Sequence, residues 1–387
     1  MSFHAHEILH KTLGDDIRAS AEAALRFARD RDFTGTDPYD GLLSPAAPLL
    51  KGRLPRQVWV QAHKRLGHSL RSATRVPKVT MTKALALFAM AERCEDHPDR
   101  AHELVTRILC TRGNGPWGYE FDVQTRWAHY LANSPNVVAT VFALRAIAAM
   151  DRLDEVSGET TTWLENLAHP DGFFRYTEAS DRLVHNGSLL AAESLALLGG
   201  DRNLIQQAIT RTVEAQAPDG SWAYGEGKGL EWIDSFHTIY VLDSLYFLKQ
   251  QGFEIGDSYE RGLAYWYAHC MTLDGLPVYN ADETHASHDV HNVATTVGFL
   301  AGLARRGDLE IDPEPAIRHL ISHQGTDGGF RNDPKSLPHM RWNQAHASYA
   351  LSRWVELLGS DNGDSSGSNE RSERGRRVRF ESEEAQS

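Results

Sequence analysis

Cysteine is scarce in this chain. Cys94, Cys110 and Cys270 are the whole supply, no two stand in a C-x-x-C spacing, and three thiols cannot all pair. A disulfide framework is therefore not expected, and a reducing, cytoplasmic location is. Long apolar runs are missing as well: no stretch approaches the roughly 18 residues of a membrane-spanning helix. The first residues lack the basic-then-apolar pattern of a signal peptide. Basic residues are outnumbered, 40 against 52 acidic, for a formal charge of −12. That balance argues against sequence-independent phosphate binding, so no nucleic-acid partner is expected. What the chain does have is apolar side chain, 41% of 387 residues, enough for one large core or two ordinary ones.

One stretch organises the rest. Trp232–Ile233–Asp234–Ser235–Phe236–His237–Thr238 reads as the start of a helix, with Ile239, Val241, Leu242, Leu245 and Tyr246 as its buried continuation. Asp234 and His237 are three apart and share a helix face. Similar polar-headed apolar helices start near Thr82, Asn136, Asn186, Asn292 and His346, a repeat of about 50 residues. That length fits two helices and two connections. Outer helices are predicted between them at 98–111, 159–168, 202–216, 258–271 and 313–323. A glycine turn with aromatic residues follows each one, as in Asp219–Gly220–Ser221–Trp222. The polar heads recur at one end of every inner helix. A closed ring of about six hairpins would bring those heads to one central cavity, whereas an open solenoid would spread them along a face.

Three segments frame the repeats. Residues 1–78 hold an amphipathic helix from about Asp15 to Asp32, a patterned loop with Tyr39 and Asp40, and a basic stretch over 56–78. The three N-terminal histidines, His4, His6 and His10, read as a helix surface. The basic stretch is either a solvated helix face or a contact for an anionic sugar, a phosphate or an acidic lipid surface, hence a peripheral membrane contact. Residues 79–358 are the repeats, and 359–387 form a tail too polar to build a core, expected to be disordered.

Collected at the helix heads are His185 and Asn186, Asp234 and His237, His288, Asp289, His291 and Asn292, then Arg341, Trp342, Asn343 and His346. Trp117, Tyr119, Trp222, Tyr224 and Trp232 come from the adjoining turns, and Tyr39 and Asp40 from the N-terminal loop. Amides, imidazoles, carboxylates and aromatic platforms suit a sugar, whose rings have apolar faces and paired hydroxyls. Asp234 with His237 is the best acid–base pair, and Asp289 with His291 the second catalytic group. Two carboxylates across a glycosidic bond would serve a hydrolase, and one base with one acid a lyase or epimerase. Each polar head also has a plain structural use as a helix cap, and the turn aromatics as wedges between outer helices. The run from His285 to His291 raises the question of a metal, but it matches no named zinc spacing, so no metal and no cofactor is expected.

The turn Gln216-x-x-Asp219-Gly220-Ser221-Trp222 resembles the QW motif of the squalene-cyclase group, and Gln324-x-x-Asp327-Gly328-Gly329-Phe330 resembles a degenerate copy. The resemblance implies an all-α fold, an α/α toroid similar to the terpenoid cyclase/prenyltransferase and six-hairpin glycosidase folds. The Asp-x-Asp-Asp acid motif of terpene cyclases and the Asp-x-Cys zinc motif of protein prenyltransferases are absent. Asp37–Pro38–Tyr39–Asp40–Gly41–Leu42 with Ser44, the basic segment ending in Val76–Pro77–Lys78 with Lys83, and Trp232–Ile233–Asp234–Ser235–Phe236–His237–Thr238 together resemble the VpsJ-type polysaccharide-biosynthesis proteins. That resemblance spans 35–358 and implies a place in cell-surface glycan biosynthesis, with an oligosaccharide or lipid-linked sugar as partner. A non-catalytic glycan-binding protein of the same pathway and a terpenoid cyclase/prenyltransferase-like enzyme are the alternatives.

Overall fold

The computed structural model describes residues 3–125 and 129–360. Its α-helices in chain order are α1 (Phe3–Arg29), α2 (Arg53–Ala73), α3 (Thr82–Cys94), α4 (Pro98–Leu109), α5 (Val137–Ala149), α6 (Gly158–Asn166) and α7 (His185–Leu197). They continue with α8 (Arg202–Glu214), α9 (Ser235–Gln250), α10 (Ser258–His269), α11 (Val290–Arg306), α12 (Glu314–Ser322) and α13 (His346–Ser360). A π-helical turn, Met340–Ala345, leads into α13. Strands among the described residues are two-residue pairs that pin connections: Thr34–Gly35 with Val79–Thr80, Val123–Gln124 with His129–Tyr130, and Ala168–His169 with Phe173–Phe174, all antiparallel.

The odd-numbered helices from α3 to α13 form an inner ring. Each packs on the next, and α13 packs back on α3, so the ring closes. The even-numbered helices from α4 to α12 lie outside it, and α1 takes the sixth outer place against α12 and α13. Side-chain pattern explains the sorting. Helix α5 reads VVATVFALRAIAA and is apolar nearly all round, as a helix covered on every side must be. Helix α4 buries Ala101, Leu104, Val105 and Ile108 and exposes His102, Glu103 and Thr106, one apolar stripe at 3.6 periodicity.

Glutamine ties hold the outer ring. Gln216 donates through Nε2 to Gly220 O at 2.9 Å in its own turn and to Ser258 O at 3.0 Å at the head of α10. Gly220 has φ +94, and a Cβ there would meet Arg261 O at 2.4 Å, so both conformation and space demand glycine. Gln324 repeats the tie at the closure: its Nε2 donates to Gly328 O and to Ser20 O of α1, each at 3.0 Å. The degenerate repeat is thus where the last outer helix grips the first.

The inner helices start within two residues of their predicted positions, and α1 reaches further towards the N-terminus than expected. Helix α2 carries a break at Gly67 (φ 54, ψ −127). The side chains of His4, His6 and His10, and the predicted disordered tail from residue 361 on, lie outside the described residues. No helix of the described residues is long and apolar enough to cross a membrane.

Candidate functional site

The N-terminal ends of the six inner helices meet at one side of the ring and form a mouth. Each head must satisfy free backbone N–H groups. Asn136 caps α5, its Oδ1 accepting from Ala139 N at 2.9 Å. Glu120, from a distant turn, accepts from Thr82 N at 2.6 Å and caps α3. Asp234 caps α9, accepting from His237 N at 2.9 Å. Asp289 caps α11, accepting from His291 N at 3.0 Å. Asn186 and Asn292, the caps expected from sequence, instead lie inside their first turns, where Asn292 Nδ2 donates to Val278 O at 2.9 Å.

Asp234 does more than cap. Its second oxygen accepts from His237 Nδ1 at 2.6 Å and from Trp232 Nε1 at 2.9 Å. The carboxylate therefore fixes the proton of His237 on Nδ1 and leaves Nε2 unengaged by Asp234. Burial pushes the Asp234 carboxyl up. The charge and hydrogen bonds of His237, with the Trp232 N–H, more than offset this and hold it below the usual carboxylate range. Trp232 stacks on Tyr224 (4.3 Å, 17°), and the Tyr224 ring lies 4.5 Å from that of His237. Beside the pair is a small hollow of about 10 Å³, lined by His185, Asn186, Trp222, Tyr224, Asp234 and His237 among others. His185 is buried there against Thr212, and burial pushes it down to about 4, so it is neutral at pH 7.

The next head is built alike and behaves differently. Asp289 accepts from Trp342 Nε1 at 3.1 Å as well as from its own helix. Among the described residues no histidine ring pairs with it. Burial pushes its carboxyl above the usual range, and the Asn292 N–H, Lys64 and Trp342 hold it back only in part. His291 turns inward, stacked on Trp342 (4.3 Å, 22°) and edge-on to Phe236 and His346. Both its ring nitrogens are buried without a hydrogen-bond partner among the described residues. Burial, then Lys83 and Arg341, hold it well below the ordinary value, so it is a neutral imidazole. Both carboxylates bear on Tyr279, whose phenol is pushed up by burial and then by Asp289 and Asp234.

The remaining predicted residues divide between rim and wall. Tyr39 meets Trp342 edge-on at 5.4 Å, under the ammonium of Lys64 at 5.2 Å from its ring centroid. Tyr119 reaches the Tyr176 hydroxyl at 3.3 Å and lies 5.1 Å beneath the Arg341 guanidinium. Asn343 donates to Asn332, and His346 is buried on the ring axis. Trp117 is sealed in the wall with no exposed surface, its Nε1 donating to Ile108 O at 3.1 Å, so it wedges an outer helix and does not face the mouth. Trp222 does the same through Thr212 O at 2.9 Å while one edge reaches the hollow. Asp40 is fully buried and committed to Arg71 and to the backbone N–H of Asp37, with burial raising its carboxyl to about 6. Arg341 is likewise committed: its guanidinium grips Asp37 bidentately at 2.7 and 2.9 Å. His288 stands outside the mouth, on the outer side of the Asp289 head.

Sequence reasoning passed over Lys83 as a site residue. It is buried on the ring axis, 4.2 Å over the Phe142 ring, and burial followed by Arg341 and Arg145 holds its ammonium well below the ordinary value. A lone lysine in an otherwise apolar helix was the available signal. Thiol chemistry has no foothold at Cys94, pushed up to about 12 by burial and then by Glu356. A wider hollow of about 540 Å³ on the outer wall, lined by Asp171, Asn203, Gln207 and Arg211 among others, shares no residue with the mouth.

No family model matches the chain, and no curated protein sequence matches it. Solved structures do. A variant of the type II terpene cyclase MstE from Scytonema, in complex with geranylgeranyl dihydroxybenzoate (substrate), has a TM-score of 0.53 at 15% identity, over 90% of this chain and 99% of that one. MstE without ligand has a TM-score of 0.51 at 15% identity, over 89% and 99%. A possible member of the GH105 family from Salmonella enterica has a TM-score of 0.47 at 14% identity, over 72% and 83%. The fold is an α/α toroid, as the closed double ring of helices already showed.

Proposed function

We propose that the mouth is a carbohydrate site and that the protein acts on a sugar of cell-surface glycan biosynthesis, presented as an oligosaccharide or on a lipid carrier. The observation that carries this reading is the Asp234–His237 pair inside the Tyr224–Trp232 stack. A carboxylate that fixes one imidazole nitrogen leaves the other to take or give a proton, and aromatic faces hold a sugar ring beside it. Asp289, whose carboxyl burial pushes above the usual range while that of Asp234 is held below it, is the second carboxyl at the next helix head, and such a divergence suits base-side and acid-side roles. The VpsJ-type resemblance points to the same pathway. The ring axis is filled by Lys83, Arg341, His291 and His346, which counts against a terpenoid cyclase, whose carbocation needs an apolar, aromatic chamber.

The test is binding and turnover of a panel of acidic and neutral surface-glycan fragments by native protein, Asp234→Asn and His237→Ala. Fragments should bind all three, with conversion falling about 100-fold or more in each variant. Equal conversion would remove the pair from the chemistry. One observation favours glycan binding without turnover: the hollow beside His237, at about 10 Å³, has room for one water and not for a sugar ring. Under that reading the sugar rests on the rim, and no fragment is converted by any of the three proteins.

The carrier of such a sugar would lie at a membrane, and α2 has the surface for one. Leu54, Val58 and Leu66 are 72, 69 and 63% exposed along one side of the helix, with Lys51, Arg53, Arg65, Arg75 and Lys78 exposed around them. The opposite side is fixed at the mouth, where Trp59 Nε1 donates to Gly41 O at 2.9 Å and Arg71 pairs with Asp40. An apolar stripe edged by cations, on a chain otherwise acidic, suits an anionic lipid surface. Native protein should float with anionic liposomes at low salt, and Leu54→Glu with Val58→Glu should not. Absence of native flotation would dismiss the contact.

A further inference from the structure

We infer that His288, His319 and His323 form a site for a divalent transition-metal ion of the zinc class. The cluster stands apart from the Asp234–His237 pair and does not depend on the sugar reading. His319 and His323 are four apart at the C-terminal end of α12, so their rings share one face. His288 comes to them from the loop before α11, on the other side of the joint between those helices. The ring centroids are 5.1 Å apart for His319 and His323, and 6.0 Å from each of them to His288. One nitrogen from each ring lies within 4.8 Å of the other two. A tetrahedral ion with bonds of about 2.0–2.1 Å needs those nitrogens about 3.4 Å apart, so the three rings draw in on binding, and His288 is the exposed one.

The hydrogen bonds already set two of the rings for ligation. The Nε2 of His319 lies 2.7 Å from Ser287 O, and the Nδ1 of His323 lies 2.9 Å from Arg331 O. A carbonyl only accepts, so both nitrogens carry the proton. The lone pairs then fall on His319 Nδ1 and His323 Nε2. Backbone carbonyls that fix the tautomer in this way are the usual outer partners of metal-bound histidines. Three imidazoles from two segments match a three-ligand site, and the exposure of His288 leaves the fourth position to water or an anionic oxygen. His288 directly precedes Asp289, so the ion would sit at the outer edge of the mouth. The sequence cluster His285–His291 pointed to this loop but to the wrong partners: His291 is turned to the ring axis, and the other two ligands lie on α12.

Full-length protein stripped with chelator and titrated with zinc chloride by calorimetry tests this, in a background where His4, His6 and His10 are replaced by alanine. One ion per chain is expected. Affinity should fall about 100-fold or more in His288→Ala and His323→Ala, and stay unchanged in His285→Ala. Cobalt titration should give the strong visible bands of a tetrahedral nitrogen site in the background protein and not in His288→Ala. His288 is exposed, so that variant keeps the fold. No binding in the background protein, or binding equal in His288→Ala and His285→Ala, would overturn the inference.

Discussion

The heads of α9 and α11 are two versions of one design. In each, an aspartate caps the helix, an indole Nε1–H reaches the carboxylate, and a histidine follows within the first turn. They differ in where the histidine turns. His237 lies back on Asp234, and its hydrogen bonds and electrostatic attraction hold the buried carboxyl below the usual range. His291 turns inward to stack on Trp342, and Asp289 is left with backbone N–H groups, an indole and a distant Lys64 against its burial. The lesson is that burial alone raises a carboxyl and that one well-placed imidazole reverses the sign.

Four experiments test whether the two heads differ in this way. The largest effect is expected beneath the α11 head, where Arg341 holds the N-terminal loop next to Trp342. Arg341→Ala would leave Asp37 buried and unpaired and should cost about 3–5 kcal/mol in chemical denaturation. A loss near zero would mean that the loop is anchored elsewhere. Next, Asp234→Ala removes a cap and the acceptor of both His237 Nδ1 and Trp232 Nε1, whereas Asp289→Ala removes a cap and the acceptor of Trp342 Nε1 alone. Losses of about 2–3 and about 1–2 kcal/mol are expected by thermal unfolding. Equal losses would show that the His237 pairing carries no net stability.

The pH dependence should then separate the two carboxyls. The folded-state value of Asp234 lies below its ordinary 3.8, so its contribution is complete above that value and is lost as pH falls through the lower folded one. That of Asp289 lies above 3.8, so its contribution is complete below that value and is lost as pH rises through the higher folded one. Asp289→Asn should therefore flatten the melting-temperature profile above pH 4, and Asp234→Asn below it. Matching profiles would abolish the contrast. The smallest effect is at the indoles: Trp232→Phe and Trp342→Phe should each cost about 1 kcal/mol, the loss of one N–H donor apiece. Trp342→Phe should leave the ring stack on His291 in place.

Much of the ring was legible beforehand because it is written in local pattern. Helix α5 is apolar nearly all round and α4 is striped, and those patterns sort inner from outer helices without any long-range knowledge. The Asp234–His237 pair was legible for the same reason, since a cap and a residue three positions on meet whatever the rest does. The commitment of Asp40 to Arg71, of Arg341 to Asp37 and of Trp117 to Ile108 was not, because nothing local tells a buried anchor from a rim residue. The same holds for Lys83, whose helix reads as ordinary core.

Local sequence specifies the helices, their buried faces and the Asp234–His237 pair, because each depends on residues within one or two turns of each other. Tertiary packing closes the ring, with α13 on α3 and Gln324 on Ser20 some 300 positions away. It alone decided that His291 faces the axis and that His288 meets His319 and His323. These are meetings of side chains from separate repeats, and their geometry follows from how far each hairpin turns about the ring, which no local pattern encodes.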